Sequence, residues 1–265
     1  QLTIFHQSWL PEGEANAVIV LVHGLGEHSG RYQNVINSLV PRGYAIHALD
    51  HLGHGRSDGV RKHVNRFDDF IETLHTFSGM VRAQYAGQPI FLLGHSMGGL
   101  IASRYLLEHQ AEFNGAILSA PALKVDDSVT PLLIWIGRIL SVLLPRYGVI
   151  PMGSAMLSRD PAVVQAYLDD PLVYSGKTTA RLAAEIVTTM NYVRGRMQTI
   201  NLPVLILQGS ADRIVHPEGA QAFHAGIDSD DKTLKVYEGW YHELFNEPER
   251  EAVLTDVLHW LRKRC

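Results

Sequence analysis

The chain has 265 residues, of which 46% are hydrophobic, and a formal net charge of −4. This length and composition exclude an intrinsically disordered chain and fit one large domain or a domain that carries an insertion. The negative balance, without any run of about five or six like charges, argues against a nucleic-acid partner and against a polybasic membrane arm.

The single cysteine, Cys265, is the last residue of the sequence. One cysteine excludes an intramolecular disulfide and a thiolate metal cluster, and it permits a reducing compartment. The segment that begins at Gln1 has neither the charged region nor the apolar region of a secretory signal. We therefore expect a cytoplasmic location, with export left open.

Short apolar runs alternate along the chain with longer segments of helical period, a pattern typical of βαβ units on a mainly parallel sheet. Thr3, Phe5, Gln7 and Trp9 share one face of an additional N-terminal strand, which we expect at the edge of the sheet. The other predicted strands are Ala17–Val22, Tyr44–Leu49, Pro89–Leu93, Gly115–Ser119, Pro203–Gln208 and Thr233–Tyr237. The predicted helices are Tyr32–Val40, Phe67–Tyr85, Met97–His109, Pro217–Ala225 and Pro248–Arg262.

The interval 121–200 interrupts this alternation, because it contains no convincing strand and its pattern is helical or irregular. We interpret it as an inserted cap between two parts of one α/β core, 1–120 and 201–265. Its segment "PLLIWIGRILSVLL" has Arg138 as its only charge but is shorter than the ~20 residues of a membrane span. A lid or interfacial helix fits this segment, and an ordinary buried cap helix is the alternative.

The segment "LLGHSMGGL" has the G-x-S-x-G spacing from Gly94 to Gly98, with Ser96 at its centre. This spacing is typical of a sharp turn from strand to helix that exposes a nucleophilic serine, although a short glycine pattern also occurs in inert turns. A serine hydroxyl is a weak nucleophile, so it requires a base and an acid that orients the base.

Both partners are available downstream in the order that an α/β-hydrolase sheet requires. The strand Pro203–Gln208 leads into "GSADRIV", which supplies Asp212, and the strand Thr233–Tyr237 leads into "EGWYHEL", which supplies His242. Either residue alone would be an ordinary loop residue. Their order after Ser96 indicates a catalytic triad.

Attack on a carbonyl also requires two N–H donors for the oxyanion. Met97 follows the serine at the start of a helix whose dipole favours negative charge. The glycine-rich segment "HGLGEHSGR" follows an early strand, and the N–H of Leu25 within it is the predicted second donor.

His51 and His54, in "DHLGHGRSDG", raise the question of a metal site. The sequence contains no H-E-x-x-H helix and no Cys/His ligand spacing, so we expect no catalytic metal. Asp50 and Ser57 are expected to shape this loop through turn hydrogen bonds.

The segments "HGLGEHSGRY", "DHLGHGRSDG", "FLLGHSMGGL", "LSRDP", "LILQGSADRIV" and "DKTLKVYEGWYHEL" resemble the monoacylglycerol lipases of the α/β-hydrolase superfamily. The resemblance covers nearly the whole chain, and related lysophospholipase-like hydrolases share its narrower segments. It implies the α/β-hydrolase fold, with a mainly parallel central sheet, flanking helices and an inserted helical cap. It also implies a small lipid substrate and no cofactor.

Carried onto this chain, the resemblance implies the triad and oxyanion donors named above. It further implies that Glu27, Arg31 and Tyr167 lie near the glycerol end of the pocket, while a structural Glu27–Arg31 pair is the alternative. The sequence departs from mammalian members at Phe245, where they have a histidine three residues after the catalytic one.

The sequence therefore predicts hydrolysis of monoacylglycerols to glycerol and fatty acid, with peripheral contact to a lipid interface through the cap. Lysophospholipase, broad carboxylesterase and acyltransferase activities stay open, as does a non-catalytic binding protein on the same fold. The sequence does not indicate an oligomeric state. An epoxide hydrolase or haloalkane dehalogenase is disfavoured, because those enzymes have an aspartate where Ser96 stands.

Overall fold

The computed structural model describes residues 2–125, 129–151 and 153–265. Its centre is a seven-stranded sheet in the order β1-β3-β2-β4-β5-β8-β9. All neighbouring strands run parallel except β1, which pairs antiparallel with β3. The strands are β1 (His6–Trp9), β2 (Ala17–Val22), β3 (Tyr44–Leu49), β4 (Ile90–His95), β5 (Gly115–Ser119), β8 (Val204–Gly209) and β9 (Lys232–Tyr237).

The sheet is covered on both faces, which explains why its inner strands are continuous apolar runs. In β2, Val18 and Val20 belong to one hydrophobic cluster, and Ile19 and Leu21 belong to the cluster on the opposite face. Residues of α1 and α8 complete the second cluster, whereas residues of α2, α3, α6 and α7 complete the first. The helices are α1 (Gln33–Leu39), α2 (Asp68–Gln84), α3 (Met97–His109), α4 (Pro131–Leu143), α5 (Pro161–Asp169), α6 (Ala180–Arg194), α7 (Pro217–Gly226) and α8 (Glu251–Arg262).

The predicted fold class and the predicted core elements are confirmed, most of them to within one or two residues. The N-terminal strand lies at the sheet edge as expected, but it begins at His6 rather than at Thr3. The last helix begins at Glu251 instead of Pro248, because a 3-10 turn at 244–246 and a further turn occupy the preceding residues.

The interval 121–200 contains α4, α5 and α6 and a small antiparallel pair, β6 (Gly148–Ile150) with β7 (Thr178–Thr179). The prediction that this interval lacks strands is therefore wrong. These strands have three and two residues, too few for a recognisable apolar alternation. The predicted cap also spans 126–128 and 152, which lie outside the described residues.

Helix α4 begins at a Thr130 cap, whose side chain accepts a hydrogen bond from the N–H of Leu133, and Pro131 occupies the first turn. It packs against α6, yet its opposite face is exposed: Trp135 is 60% and Leu143 is 71% accessible. The alternative of an ordinary buried helix is therefore wrong for α4. Within the described ranges, the helices are all too short or too polar to cross a membrane.

Candidate active site

Ser96 stands at the sharp turn between β4 and α3, with φ +55° and ψ −119°. Residues other than glycine rarely adopt a φ in this left-handed range, so the backbone is strained at Ser96. The surrounding structure must hold it in this conformation. The two flanking glycines show why larger residues do not fit. A Cβ on Gly94 would lie 2.5 Å from the carbonyl oxygen of Gly98, and a Cβ on Gly98 would lie 2.1 Å from that of Val22.

The predicted triad residues come together at the carboxyl edge of the sheet. The Ser96 hydroxyl lies 2.9 Å from His242 Nε2, and His242 Nδ1 lies 2.7 Å from Asp212 Oδ2. Asp212 Oδ1 accepts hydrogen bonds from the N–H groups of Ile214 at 2.8 Å and Val215 at 3.0 Å. The second carboxylate oxygen is thus left facing the imidazole, which fixes the orientation of the ring.

All three side chains are buried, and Asp212 and His242 shift each other's pKa. Burial alone lowers the pKa of His242, but the carboxylates of Asp212 and Glu243 outweigh burial and raise it above its ordinary value. Burial raises the pKa of Asp212, whereas the neighbouring His242 and two backbone N–H groups lower it, and the net direction is down. The arrangement therefore favours an ionised carboxylate beside an imidazole able to accept a proton.

A second buried histidine, His95, precedes the nucleophile and provides a contrast. Its ring centroid lies 4.8 Å from that of His242. Burial and the adjacent positive charge of His242 lower the pKa of His95 to about 3. His95 therefore stays neutral, and its Nδ1 lies 3.1 Å from the carbonyl oxygen of Ser119.

The two predicted oxyanion donors belong to segments that adjoin Ser96. Met97 is the first residue of α3, and an N–H at that position has no acceptor within its own helix. The loop that carries Leu25 passes directly beside the serine, because a Cβ on Gly24 would lie 3.3 Å from the Cβ of Ser96. Leu25 also lines the small cavity in front of the serine.

Glu27 and Arg31 are held in a buried ion network that includes a residue the sequence reasoning missed, Glu243. Arg31 donates two hydrogen bonds to the carboxylate of Glu243, at 2.6 and 2.9 Å, and a third to Glu27 at 3.0 Å. The other oxygen of Glu27 accepts from the Gly24 N–H at 2.6 Å and from the Tyr32 hydroxyl at 2.7 Å. This network favours the structural alternative for the Glu27–Arg31 pair.

Glu243 directly follows His242, and its hydrogen bonds to Arg31 connect this part of the chain to the loop at residues 23–31. Burial raises the pKa of Glu243, but the bidentate contact with Arg31 outweighs burial and holds the pKa below its ordinary value. The adjacency of a charged residue to the predicted base was the available signal in the sequence. Its partner lies 212 residues away, so no local pattern indicated the pair.

Tyr167 lies on α5 and is buried over the same loop, with the Arg31 guanidinium 4.6 Å from its ring centroid. It lines a cavity of about 70 Å³ in front of the serine. Residues of the core and of the interval 121–200 surround this cavity together: Gly24, Leu25, Glu27, His95, Ser96, Leu157, Tyr167, Ile214, His242 and Glu243. Five of the predicted site residues thus line one cavity, whereas Asp212, Arg31 and Met97 do not line it.

The loop with His51 and His54 packs under the site as structural support. Asp50 accepts hydrogen bonds from the N–H and hydroxyl of Ser29, at 2.8 and 2.6 Å, and the Ser57 hydroxyl donates to the Asp50 carbonyl at 2.6 Å. The loop-shaping role expected of Asp50 and Ser57 is therefore present. Among the described residues, the nitrogens of His51 and His54 do not converge with a third ligand on one point.

Phe245 occupies the position where the sequence departs from mammalian lipases. It is buried in the hydrophobic cluster that covers one face of the sheet. This side chain therefore contributes packing below the network of Arg31 and Glu243, not a polar group at the cavity.

Comparison with known proteins places this geometry in a family. Residues 13–249 match the family model described as "Serine aminopeptidase, S33". The chain is 37% identical over 258 residues to a monoacylglycerol lipase of Mycolicibacterium smegmatis, covering 97% of this chain and 92% of that protein. It is 35% identical over 264 residues to the human monoglyceride lipase, covering 98% and 87% respectively.

Solved structures agree with the sequence relatives. The crystal structure of a monoacylglycerol lipase from Paleococcus ferrophilus superposes with a TM-score of 0.90 at 30% identity, and the match covers 99% of this chain and 100% of that chain. A soluble variant of the Saccharomyces cerevisiae monoglyceride lipase, in complex with a substrate analogue, has the same TM-score of 0.90 at 24% identity, covering 99% and 92%. The chain therefore belongs to the monoacylglycerol lipase family of serine hydrolases, which have the α/β-hydrolase fold.

Proposed function

We propose that this protein hydrolyses monoacylglycerols to glycerol and a free fatty acid through an acyl-enzyme on Ser96. The observation that carries the proposal is the continuous hydrogen-bond relay from Ser96 through His242 to Asp212, at 2.9 and 2.7 Å, beside a cavity. Near full-length relatives that are named for this activity support the choice of substrate.

In the first half of the reaction, the Ser96 hydroxyl attacks the ester carbonyl while His242 Nε2 accepts its proton. The carboxylate of Asp212 stabilises the resulting imidazolium, which then donates the proton to the departing glycerol oxygen. In the second half, water gives its proton to His242 and attacks the acyl-enzyme, and the Ser96 oxygen leaves with that proton. No cofactor is required for either half.

The N–H groups of Leu25 and Met97 stabilise the negative oxygen of both tetrahedral intermediates. These donors are effective because they are held in place before the reaction. Losing one such donor costs about 3 kcal/mol of transition-state stabilisation. Gly24 lies against the serine, and Tyr174 N–H donates to the Gly26 carbonyl at 3.0 Å. These contacts fix the loop on both sides of Leu25.

We assign the interval 121–200 the role of a cap that selects the substrate. The cavity has a volume of about 70 Å³. Ordinary ligand pockets are far larger, with volumes of about 300–1,000 Å³. A long acyl chain does not fit in this volume, so we infer that it extends from the cavity beneath the cap and that the cap moves to admit it. Each buried methylene contributes about 0.8 kcal/mol, which favours long chains over acetate.

The cavity itself suits a small polar head. Tyr167 is the strongest candidate for a glycerol contact, because it lines the cavity from α5. We assign Glu27 and Arg31 a supporting role, since their charged atoms already bond to Glu243, Gly24 and Tyr32.

We also propose that α4 meets the lipid interface. Its apolar side chains that face solvent are Leu132, Leu133, Trp135, Ile136, Ile139, Val142 and Leu143. An apolar surface of this kind on a folded protein marks an interaction site, and a helix with an aromatic and several leucines suits an interfacial position. This contact would deliver a poorly soluble substrate to the cap.

A substrate panel tests the proposal. Purified protein is assayed on monoolein, lysophosphatidylcholine, triolein and an amino-acid p-nitroanilide, with Ser96→Ala as the inactive control. We expect the highest kcat/KM for monoolein. Faster turnover of lysophosphatidylcholine or triolein would contradict the proposed preference for a substrate with a small neutral head group. Absence of fluorophosphonate labelling at Ser96 would contradict any catalytic role of this residue.

A further inference from the structure

A cluster of His75, His109 and Glu112 lies far from the candidate active site. His75 is on α2, His109 is the last residue of α3, and Glu112 follows in a 3-10 turn. The two imidazole rings are stacked, with centroids 4.5 Å apart and planes inclined by 28°. Because α3 starts next to Ser96 and has 13 residues, the cluster lies about 20 Å along the helix from the nucleophile.

The carboxylate of Glu112 is oriented by a partly buried hydrogen-bond network. Its Oε2 accepts from the Tyr105 hydroxyl at 2.7 Å and lies 3.2 Å from Arg82 Nη1. The Tyr105 hydroxyl is in turn 3.0 Å from the hydroxyl of Ser78, and both residues are fully buried. With Oε2 engaged in this way, Oε1 is directed at the two imidazoles.

The distances from Glu112 Oε1 to the two imidazoles are longer than hydrogen bonds. Glu112 Oε1 lies 3.6 Å from His75 Nδ1 and 3.5 Å from His109 Nδ1. Both values exceed the about 2.7–3.2 Å of an N–H···O hydrogen bond. They match the about 3.4 Å that separates two ligand atoms around a tetrahedral zinc with bonds of about 2.1 Å.

We propose that His75, His109 and Glu112 bind one transition-metal ion of the zinc type, with water as a fourth ligand. One potential ligand atom from each residue lies within 4.8 Å of the other two. Two imidazoles and one carboxylate suit zinc, copper or nickel, whereas magnesium and calcium prefer oxygen ligands throughout. The C-terminal end of α3 also favours a positive charge.

Binding requires only a local adjustment. His75 Nδ1 lies 2.9 Å from the Tyr105 hydroxyl, and coordination replaces this contact while Tyr105 keeps its bonds to Glu112 and Ser78. His75 is 52% exposed, so its ring can turn and the ion can enter from solvent. The ion would join α2 to the far end of α3 and stabilise the folded chain, without taking part in ester hydrolysis.

Zinc titration of the untagged, chelator-treated chain against a chromophoric competitor tests the site. We expect one ion per chain, and binding about 10-fold weaker or more in His75→Ala and in Glu112→Gln. Glu112→Gln keeps an acceptor for Tyr105, so its effect reports on the ligand charge. The matched control is His259→Ala, since His259 is also an exposed histidine on a helix, α8.

Thermal unfolding gives a second readout. Zinc is expected to raise the Tm of the wild type and of His259→Ala but not that of His75→Ala, and magnesium is expected to raise none of them. The site would be overturned if both His75→Ala and Glu112→Gln bound zinc as tightly as the wild type, or if the wild type did not bind zinc. Esterase activity is measured alongside and is expected to be unchanged in His75→Ala, so failure of this site leaves the proposed hydrolase function intact.

Discussion

The turn at Ser96 and the helix α4 are both built from apolar-rich sequence, "FLLGHSMGGL" and "PLLIWIGRILSVLL", yet their surroundings are opposite. Strand β4 has a neighbour on each side and a helix layer on each face, so every residue from Ile90 to His95 is buried. Helix α4 packs on α6 along one side and leaves most of its apolar residues in solvent. Similar composition thus gives a fully buried strand that leads into the turn at Ser96 in one region and an exposed apolar face in the other.

The largest expected effect comes from the region around Ser96. In Asp212→Asn the amide can donate a hydrogen bond to His242 Nδ1, which then presents the wrong tautomer to Ser96. We expect kcat for monoolein to fall by about 10⁴, with little change in the far-UV spectrum or the Tm. Steady-state kinetics beside Asp230→Asn, an exposed loop residue, provides the measurement. Retention of a tenth of the wild-type kcat would remove Asp212 from the proposed triad.

A pair of glycine substitutions compares the two regions directly. A Cβ on Gly98 would meet the Val22 carbonyl oxygen at 2.1 Å, whereas a Cβ on Gly137 in α4 would meet nothing within 4 Å. We expect Gly98→Ala to lose about 3 kcal/mol or more of unfolding free energy, or to fail to fold, because the clash involves backbone. Gly137→Ala should gain about 0.5–1 kcal/mol, as alanine is the better helix former.

Chemical denaturation of both variants tests this contrast. Equal stability of the two would show that the turn at Ser96 yields as easily as the surface of α4. A loss of stability in Gly137→Ala would show that α4 packs more closely than its exposed face indicates.

The same contrast explains which parts of the fold and of the candidate site could be predicted from the sequence. The inner strands were predictable because burial on both faces forces continuous apolar runs, and Asp212 followed from its position after one of them, β8. His242 followed from its position after the partly exposed edge strand β9. Glu243 was missed because its partner Arg31 comes from a loop 212 residues earlier in the chain. The pair β6 and β7 was missed because strands of three and two residues carry no period.

Lys62 connects the core to the interval 121–200, and its contacts were also not predicted from the sequence. Its Nζ donates to the Gly176 carbonyl at 3.0 Å, and its own carbonyl accepts from the Thr179 hydroxyl at 2.9 Å. The side chain is fully buried, and burial lowers the pKa of Lys62 from 10.5 to about 8. Below pH 8 the folded chain therefore holds a charged ammonium that its surroundings disfavour.

We expect Lys62→Met to be more stable than the wild type by about 2 kcal/mol at pH 7, because it removes this buried charge. Between pH 8 and 10 the unfolded wild type keeps the proton while the folded wild type releases it, so wild-type stability rises and the advantage of the variant shrinks. Urea unfolding at pH 7 and pH 10, with exposed Lys263→Met as the control, measures both effects. An equal difference at both pH values would contradict a depressed pKa.

The smallest effect on stability is expected at the exposed face of α4. Trp135→Ser and Leu143→Ser lie on the solvent side, so each should change the unfolding free energy by no more than about 0.5 kcal/mol. If α4 meets the lipid interface, the double variant should pellet with liposomes less than the wild type and lose activity on monoolein emulsions, but keep its activity on a soluble short-chain ester. Ile134 and Leu140 are half-buried, so a charge at either residue would disturb the packing of α4 in addition to any lipid contact. Substitutions at these two residues therefore do not test the lipid contact alone. Unchanged liposome binding in the double variant would show that the exposed face of α4 serves another purpose than contact with lipid.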